Sequence, residues 1–284
     1  MSLSQRAKEA MKELGINPNK LRGQNFCIEP GVIKNMVEKA GLNQAEMVLE
    51  IGPGLGFLTE QLLTNGHEVI AVEIEQHFID ILHRLEQQEK LTVLHADALT
   101  VPLDKYLNKE YSVVSNLPYS ITGSIIRRLL TAKPLPRRIT VLLQREVAER
   151  MIAPAGEMSL LSLAVQLYSQ AKIVRHVSAK AFWPVPKVES SIIQMDNVGL
   201  VNKLSDNQEK LLWQIAKFGF ASKRKQLHNN IASGLRCENQ AIKNFIIKIG
   251  LDEKTRAQQL SVKDWIDLTF LVEDYLKNTQ TSKK

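Results

Sequence analysis

The sequence predicts an α/β fold with an open, layered sheet, followed by a small all-α domain. Three observations carry this. Seven short β-branched or apolar runs alternate with amphipathic helix patterns up to about residue 196. Four of those runs end in a turn that bears a polar residue, as strands of open α/β sheets do at their ligand-binding edge. Beyond about residue 206 only helical periodicity remains.

Composition bounds the rest. A chain of 284 residues with 44% hydrophobic content can bury one good core and a smaller second one. No run reaches the length of a membrane span; Met158 to Tyr168 comes nearest. The first residues carry charges from Arg6 to Lys12, with no apolar signal-peptide core. Cys27 and Cys237 are the only cysteines, and the six histidines show no ligand spacing, so neither a disulfide framework nor a metal site is expected. A reducing, cytoplasmic compartment follows as the simple expectation. A net charge of +7 favours a polyanionic partner. No G-x-S-x-G nucleophile elbow occurs.

Leu3 to Leu14 is amphipathic and is stopped by Gly15 and Pro18, which makes residues 1–22 a basic arm. Arg22-Gly23-Gln24-Asn25-Phe26-Cys27 reads as a loop, and a helix follows from Val32 to Ala40. Met47 to Ile51 is a strand that runs into Gly52-Pro53-Gly54-Leu55-Gly56 and then a helix through Leu63. Glycines let the backbone approach a ligand closely, and the helix N-terminus adds partial positive charge. The spacing is neither that of a dinucleotide turn nor that of a phosphate cradle. Glu68 to Val72 ends in Glu73, placed to accept both hydroxyls of a ribose. A helix spans Phe78 to Leu85, and Leu91 to His95 gives way to Asp97, a candidate acceptor for an adenine amino group.

Tyr111 to Ser115 is the fourth strand and delivers Asn116-Leu117-Pro118-Tyr119. Pro118 holds Leu117 extended. The Asn116 side-chain oxygen and the Leu117 carbonyl can then face one small donor while the Tyr119 ring covers a flat partner. Two acceptors and an aromatic plate suit the exocyclic amine of an adenine. Ile121 to Leu130 is a helix, and Ile139 to Leu143, Ile173 to Val177 and Ser190 to Met195 complete the strands. Arg127, Arg128, Lys133, Arg137, Arg138, Arg145 and Arg150 face only Glu146 and Glu149, which suggests phosphate contact.

Glu50-x-Gly52-x-Gly54-x-Gly56, Glu73, Asp97 and Asn116-Leu117-Pro118-Tyr119 together resemble the motifs of class I S-adenosylmethionine-dependent methyltransferases that act on adenine N6. Gly23 to Phe26, Gln144 to Met151 and Phe182-Trp183-Pro184-Val185-Pro186-Lys187-Val188-Glu189-Ser190 narrow the likeness to the ribosomal RNA adenine dimethyltransferases of the KsgA type, from about Gln24 to Lys225. Cys27, Glu75 and Ala96 stand where that family usually has leucine, aspartate and glycine.

The resemblance implies a Rossmann-like class I fold with a seven-stranded mixed sheet. It implies S-adenosyl-L-methionine as cofactor, with Asn25, Cys27 and Gly52 at its methionine end, Glu73 at the ribose and Asp97 at the adenine. Asn116 would lie between cofactor and substrate, with Leu117 as second acceptor and Tyr119 and Phe182 stacking on the target base. The implied activity is N6,N6-dimethylation of two adjacent adenines near the 3′ end of 16S ribosomal RNA, on the immature small ribosomal subunit, by a monomer. The macrolide-resistance methyltransferases of the large subunit share the Asn-x-Pro-aromatic site, but Phe182 to Ser190 and the helical domain favour the small-subunit type. A non-catalytic assembly factor that kept the fold is the reading from another class.

The domain boundary is expected between Asp196 and Asp206, giving a catalytic domain over 1–199 and a helical domain over 200–284 with a Lys-rich tail. Helices are expected over Leu211 to Phe220, Gln226 to Leu235, Ala241 to Ile249 and Val262 to Leu276. Phe218 to Leu227, with Lys223-Arg224-Lys225, matches an RNA-facing loop of the family.

Overall fold

The computed structural model describes residues 1–18, 24–85, 90–199 and 204–281. Its strands are β1 (Phe26–Cys27), β2 (Met47–Ile51), β3 (Glu68–Glu73), β4 (Leu91–His95), β5 (Tyr111–Asn116), β6 (Ile139–Gln144), β7 (Gln170–Val177), β8 (Phe182–Trp183) and β9 (Ser190–Asp196). Seven of them form one sheet in the order β4-β3-β2-β5-β6-β9-β7. β9 alone runs antiparallel to its neighbours β6 and β7, so the sheet is mixed. Every residue of β2 is buried, as are all but the last of β5 and β6. That continuous apolar character is what a parallel strand covered on both faces requires.

The strand order reverses beside β2: the chain moves outward through β3 and β4, then returns to place β5 on the other flank. The carboxyl ends of β2 and β5 therefore flank a crevice, the place where such sheets bind ligands. Gly52 and Asn116 stand there.

Helices α1 (Leu3–Glu13), α2 (Pro30–Ala40), α3 (Phe57–Thr64), α4 (Gln76–His83) and α5 (Thr122–Leu130) accompany this sheet. Ser2 caps α1 reciprocally with Gln5, and Ala7 and Met11 enter a core shared with α2, α3 and the strands. The antiparallel pair β1–β8 joins Cys27 to Phe182 and Phe26 to Trp183. Two-residue strands carry no periodicity, and the sequence reads Phe26–Cys27 as loop for that reason.

The chain divides into two compact units, Met1–Glu149 with Tyr168–Val201, and Arg150–Leu167 with Asn202–Lys284. The segment 150–167, which holds the end of α6 (Arg145–Met151) and most of α7 (Leu160–Tyr168), thus groups with the helical unit instead of with the sheet, unlike the single boundary read from sequence. The second unit holds α8 (Asp206–Phe220), α9 (Leu227–Leu235), α10 (Asn239–Lys248) and α11 (Val262–Thr281), and Trp265 of α11 is fully buried against Phe220 of α8. Backbone bonds from Gly156 and Met158 to the Gln258 carbonyl tie the inserted segment to them. Gly23 of the sequence motif, the linker residues 200–203 and the final lysines of the tail lie outside the described residues.

The basic cluster before residue 150 is for the most part structural. Arg128 donates to the Ala98 and Val101 carbonyls, Arg138 pairs with Asp196, and Arg145 bridges Glu149 and Glu189. Arg137 donates to both oxygens of buried Glu46, at 3.0 and 2.7 Å. Cations already held by carboxylates and carbonyls are poor phosphate ligands, so the phosphate reading of these four is corrected. Burial pushes the Glu46 carboxyl up, but the bonds from Arg137, Ser112 and the Asn43 N–H outweigh it and leave it below the usual range. An Arg137→Ala variant, which leaves Glu46 buried without its cation, is expected to lose about 3 kcal/mol in urea unfolding at neutral pH. A carboxyl lowered on folding stabilises above its unfolded pKa and stops doing so as pH falls through the folded one. The gap between variant and parent should therefore narrow in acid.

Candidate active site

One cavity, of about 290 Å³, opens at the crevice between β2 and β5. It brings together Asn25, Cys27, Gly52, Glu73, Asp97, Asn116, Leu117 and Tyr119, all but one of the residues the sequence singled out. β2 ends at the cavity because Gly52 turns the chain at φ 67°, and its N–H is held by the Val72 carbonyl at 2.9 Å. A Cβ built there would lie 3.0 Å from Pro118 Cγ, so any side chain at Gly52 would force the Asn-Leu-Pro-Tyr turn to shift in addition to the strain of its positive φ.

Glu73 closes β3. One of its oxygens accepts from the Gly54 N–H at 3.1 Å, the other from the Ile74 and Glu75 N–H groups at 2.8 and 3.0 Å. The carboxyl is thereby fixed as an acceptor on the wall. Burial pushes it above the usual range, while these N–H bonds and the nearby His77 and His95 pull the other way. Asp97 Oδ1 takes the Leu99 N–H at 2.8 Å, which folds the loop after β4 into a turn beneath the cavity.

Asn116 is the last residue of β5, still in the ladder, and not part of the turn. The Leu117 N–H continues the ladder to the Leu142 carbonyl at 3.0 Å, and the Ser115 hydroxyl donates to the Ile51 carbonyl at 2.6 Å. The Asn116 Nδ2 donates to the Asn25 carbonyl at 3.1 Å, which orients the amide and reserves Oδ1 as acceptor. Tyr119 is half-buried and its hydroxyl meets Ser190 at 2.8 Å, which fixes the ring. Burial raises that phenol, so it stays neutral.

One expected residue behaves differently. Phe182 does not line the cavity: at 1% exposure and paired with Cys27, its ring offers no face to a base in this structure. Among the aromatics expected to stack, Tyr119 is the one the wall presents. Cys27 lines the cavity as expected, and burial pushes its thiol up to about 11, so it serves as wall and not as nucleophile.

Two wall residues carry no assigned role in the sequence reading: Ile74, and Glu50, which appears there only as the first residue of the glycine motif. Ile74 lines the cavity although 53% exposed. A large apolar side chain left open directly after an acidic strand end was the available signal. Glu50, buried on β2, also forms wall, and its carboxyl accepts from the Thr59 hydroxyl at 2.6 Å. The described lining residues include four carboxyls, Glu50, Glu73, Glu75 and Asp97, and no Lys, Arg or His. In a protein of net charge +7 this is a local reversal of sign. Among the described residues no group of three metal-ligating side chains occurs.

A mostly parallel seven-stranded sheet with one reversed strand, a glycine turn after β2 and an acid closing β3 define a class I methyltransferase. Solved structures agree on the fold. A dimethyladenosine transferase from Plasmodium falciparum superposes with TM-score 0.67 at 24% identity, covering 84% of this chain and 94% of that one. The 23S rRNA methyltransferase ErmE gives TM-score 0.67 at 23% identity, covering 88% and 100%. The chain belongs to the ribosomal RNA adenine dimethylase family, whose model matches residues 15–274. Curated relatives called ribosomal RNA small subunit methyltransferase A include one from Dehalococcoides mccartyi, 35% identical over 93% of this chain and 91% of its own. Another, from Clostridium botulinum, is 35% identical over 95% and 99%.

Proposed function

We propose that this enzyme transfers methyl groups from S-adenosyl-L-methionine to N6 of two adjacent adenines near the 3′ end of 16S ribosomal RNA. It would do so as a monomer, in the cytoplasm, on the immature small subunit. The observation that carries the cofactor assignment is the cavity whose described lining holds four carboxyls and no cationic side chain. Such a wall repels phosphates and favours a cation. The neighbouring glycine turn leaves backbone room for a nucleoside.

When bound, the cofactor supplies an electrophilic methyl on a sulfonium. Glu73, held by three backbone N–H groups, accepts from the ribose hydroxyls. Ile74 forms an apolar side of the adenine slot, and Asp97 accepts from the adenine amine. Asn25, Cys27 and Gly52 close the methionine end. Asn116 Oδ1 and the Leu117 carbonyl accept from the target amine and draw its lone pair out of conjugation. Their contribution is positioning and preorganised electrostatics, with no strong base involved. Tyr119 stacks on the target base, which must leave its helix to reach the slot.

For the RNA, Lys223, Arg224 and Lys225 beyond α8 are exposed and form no ion pair among the described residues. They are the better phosphate ligands than the engaged arginines of the first unit. Incubating the protein with labelled cofactor and unmodified small subunits, then mapping the modified nucleotides, tests the proposal. Label in two neighbouring adenines of 16S RNA is expected; label elsewhere, or none, overturns it.

A further inference from the structure

The two most buried carboxyls of the cavity wall are treated unequally by the fold. Glu73 accepts three backbone N–H bonds. Glu50, at 2% exposure, receives one hydrogen bond among the described residues, from the Thr59 hydroxyl of α3. Among the described residues no cation lines the cavity to compensate it. On one flank of β2, register places Glu50 beside Ala71 of β3, the strand that ends in Glu73. On the other flank, β5 brings the Ser115 hydroxyl, already donated to Ile51. Glu75 and Asp97 add further negative groups to the wall, while His77 and His95 act on Glu73.

A carboxylate buried with one donor and a like charge nearby prefers its proton. Resting on the cofactor reading above, we propose that Glu50 is a charge-matching residue of this site. It is a neutral acid while the cavity holds no cation, and it releases its proton to solvent when the sulfonium enters. The pocket's charge then follows that of its ligand: a carboxylate faces the charged methyl donor, and an acid faces the product, whose sulfur has become neutral. The site thereby favours S-adenosylmethionine over S-adenosylhomocysteine. Burial, reinforced by Glu73 and only partly offset by Thr59, raises Glu50 to about 8, which agrees with a neutral resting form.

The test is titration calorimetry of the full chain at pH 7 in buffers of different ionisation enthalpy, with each ligand in turn. A group with a pKa of about 8 is roughly nine-tenths protonated at pH 7. Release of about 0.5–1 proton per S-adenosylmethionine is expected, and close to none per S-adenosylhomocysteine. Glu50→Gln should abolish the release and cut the preference for donor over product by roughly tenfold, the equivalent of one pKa unit. Thr59→Val, which keeps the carboxyl and removes its donor, should still release a proton, and it stands in for the first variant if that one melts early. Binding without buffer dependence, or equal release with both ligands, overturns the inference and leaves the cofactor reading intact. Failure of the parent protein to bind either ligand overturns both.

Discussion

Replacing Asn116 by alanine is expected to cut single-turnover methyl transfer by about 10²–10³-fold, with cofactor binding changed only a few-fold. The reasoning starts from what stays. The main chain at this point is pinned by the Leu117 N–H to Leu142 and by the Ser115 hydroxyl to Ile51, neither of which involves the Asn116 side chain. The turn therefore keeps its place in the variant. What goes is an acceptor whose direction is set by the Nδ2 bond to Asn25. One preorganised polar group aimed at the reacting atom is worth about 10²–10³ in rate. The measurement pairs rapid-quench methyl transfer with calorimetric cofactor binding. Loss of both together would assign Asn116 to holding the Asn25 loop over the cavity. Near-parental transfer would remove it from the chemistry. RNA binding with unaltered biological effect would favour an assembly factor over an enzyme.

The second large effect is expected at Gly52. Valine there must adopt φ 67° and set a Cβ 3.0 Å from Pro118 Cγ, with its methyl groups crowding the turn and the cavity. The left-handed conformation costs roughly 1–2 kcal/mol and the overpacking about 1–3 kcal/mol more. Gly52→Val should therefore unfold earlier in urea by about 2–5 kcal/mol and bind no measurable cofactor, because the turn that carries Pro118 is displaced and the cavity is filled. Gly66 supplies the control. It has φ 87° with nothing within 4 Å of a Cβ, so Gly66→Ala carries strain without collision. That variant should lose roughly 1–2 kcal/mol and keep cofactor binding. Equal loss of binding in the two would show that global destabilisation, and not the contact with Pro118, is responsible.

Much of the site was legible because its residues sit at the ends of strongly apolar strands. Val48 to Ile51, Val69 to Val72 and Val113 to Ser115 announce themselves by composition, and each hands its next polar residue or glycine to the same sheet edge. The helices of the second unit were legible from periodicity, with ends displaced by a few residues; α8 begins at Asp206 because Ser205 caps it with Gln208. The burial of Phe182 was not legible, and for a different reason. Its motif names a residue type, whereas its exposure depends on pairing with Cys27 across the chain. The arginines were misplaced likewise, since a local excess of positive charge says nothing of Glu46 and Asp196, far away in sequence, which take two of them up.

The sequence by itself determined the α/β class, the order of elements, the glycine turn and the identity of the polar strand ends, because these depend on runs of neighbouring residues. The tertiary structure decided which charges are spent on the protein, which aromatic faces the cavity, and that segment 150–167 joins the helical unit. It also decided that Glu50 is buried with the Thr59 hydroxyl as its one donor among the described residues. Burial and partnership come from residues distant along the chain, and a carboxyl's proton is set by what surrounds it, which no local pattern records.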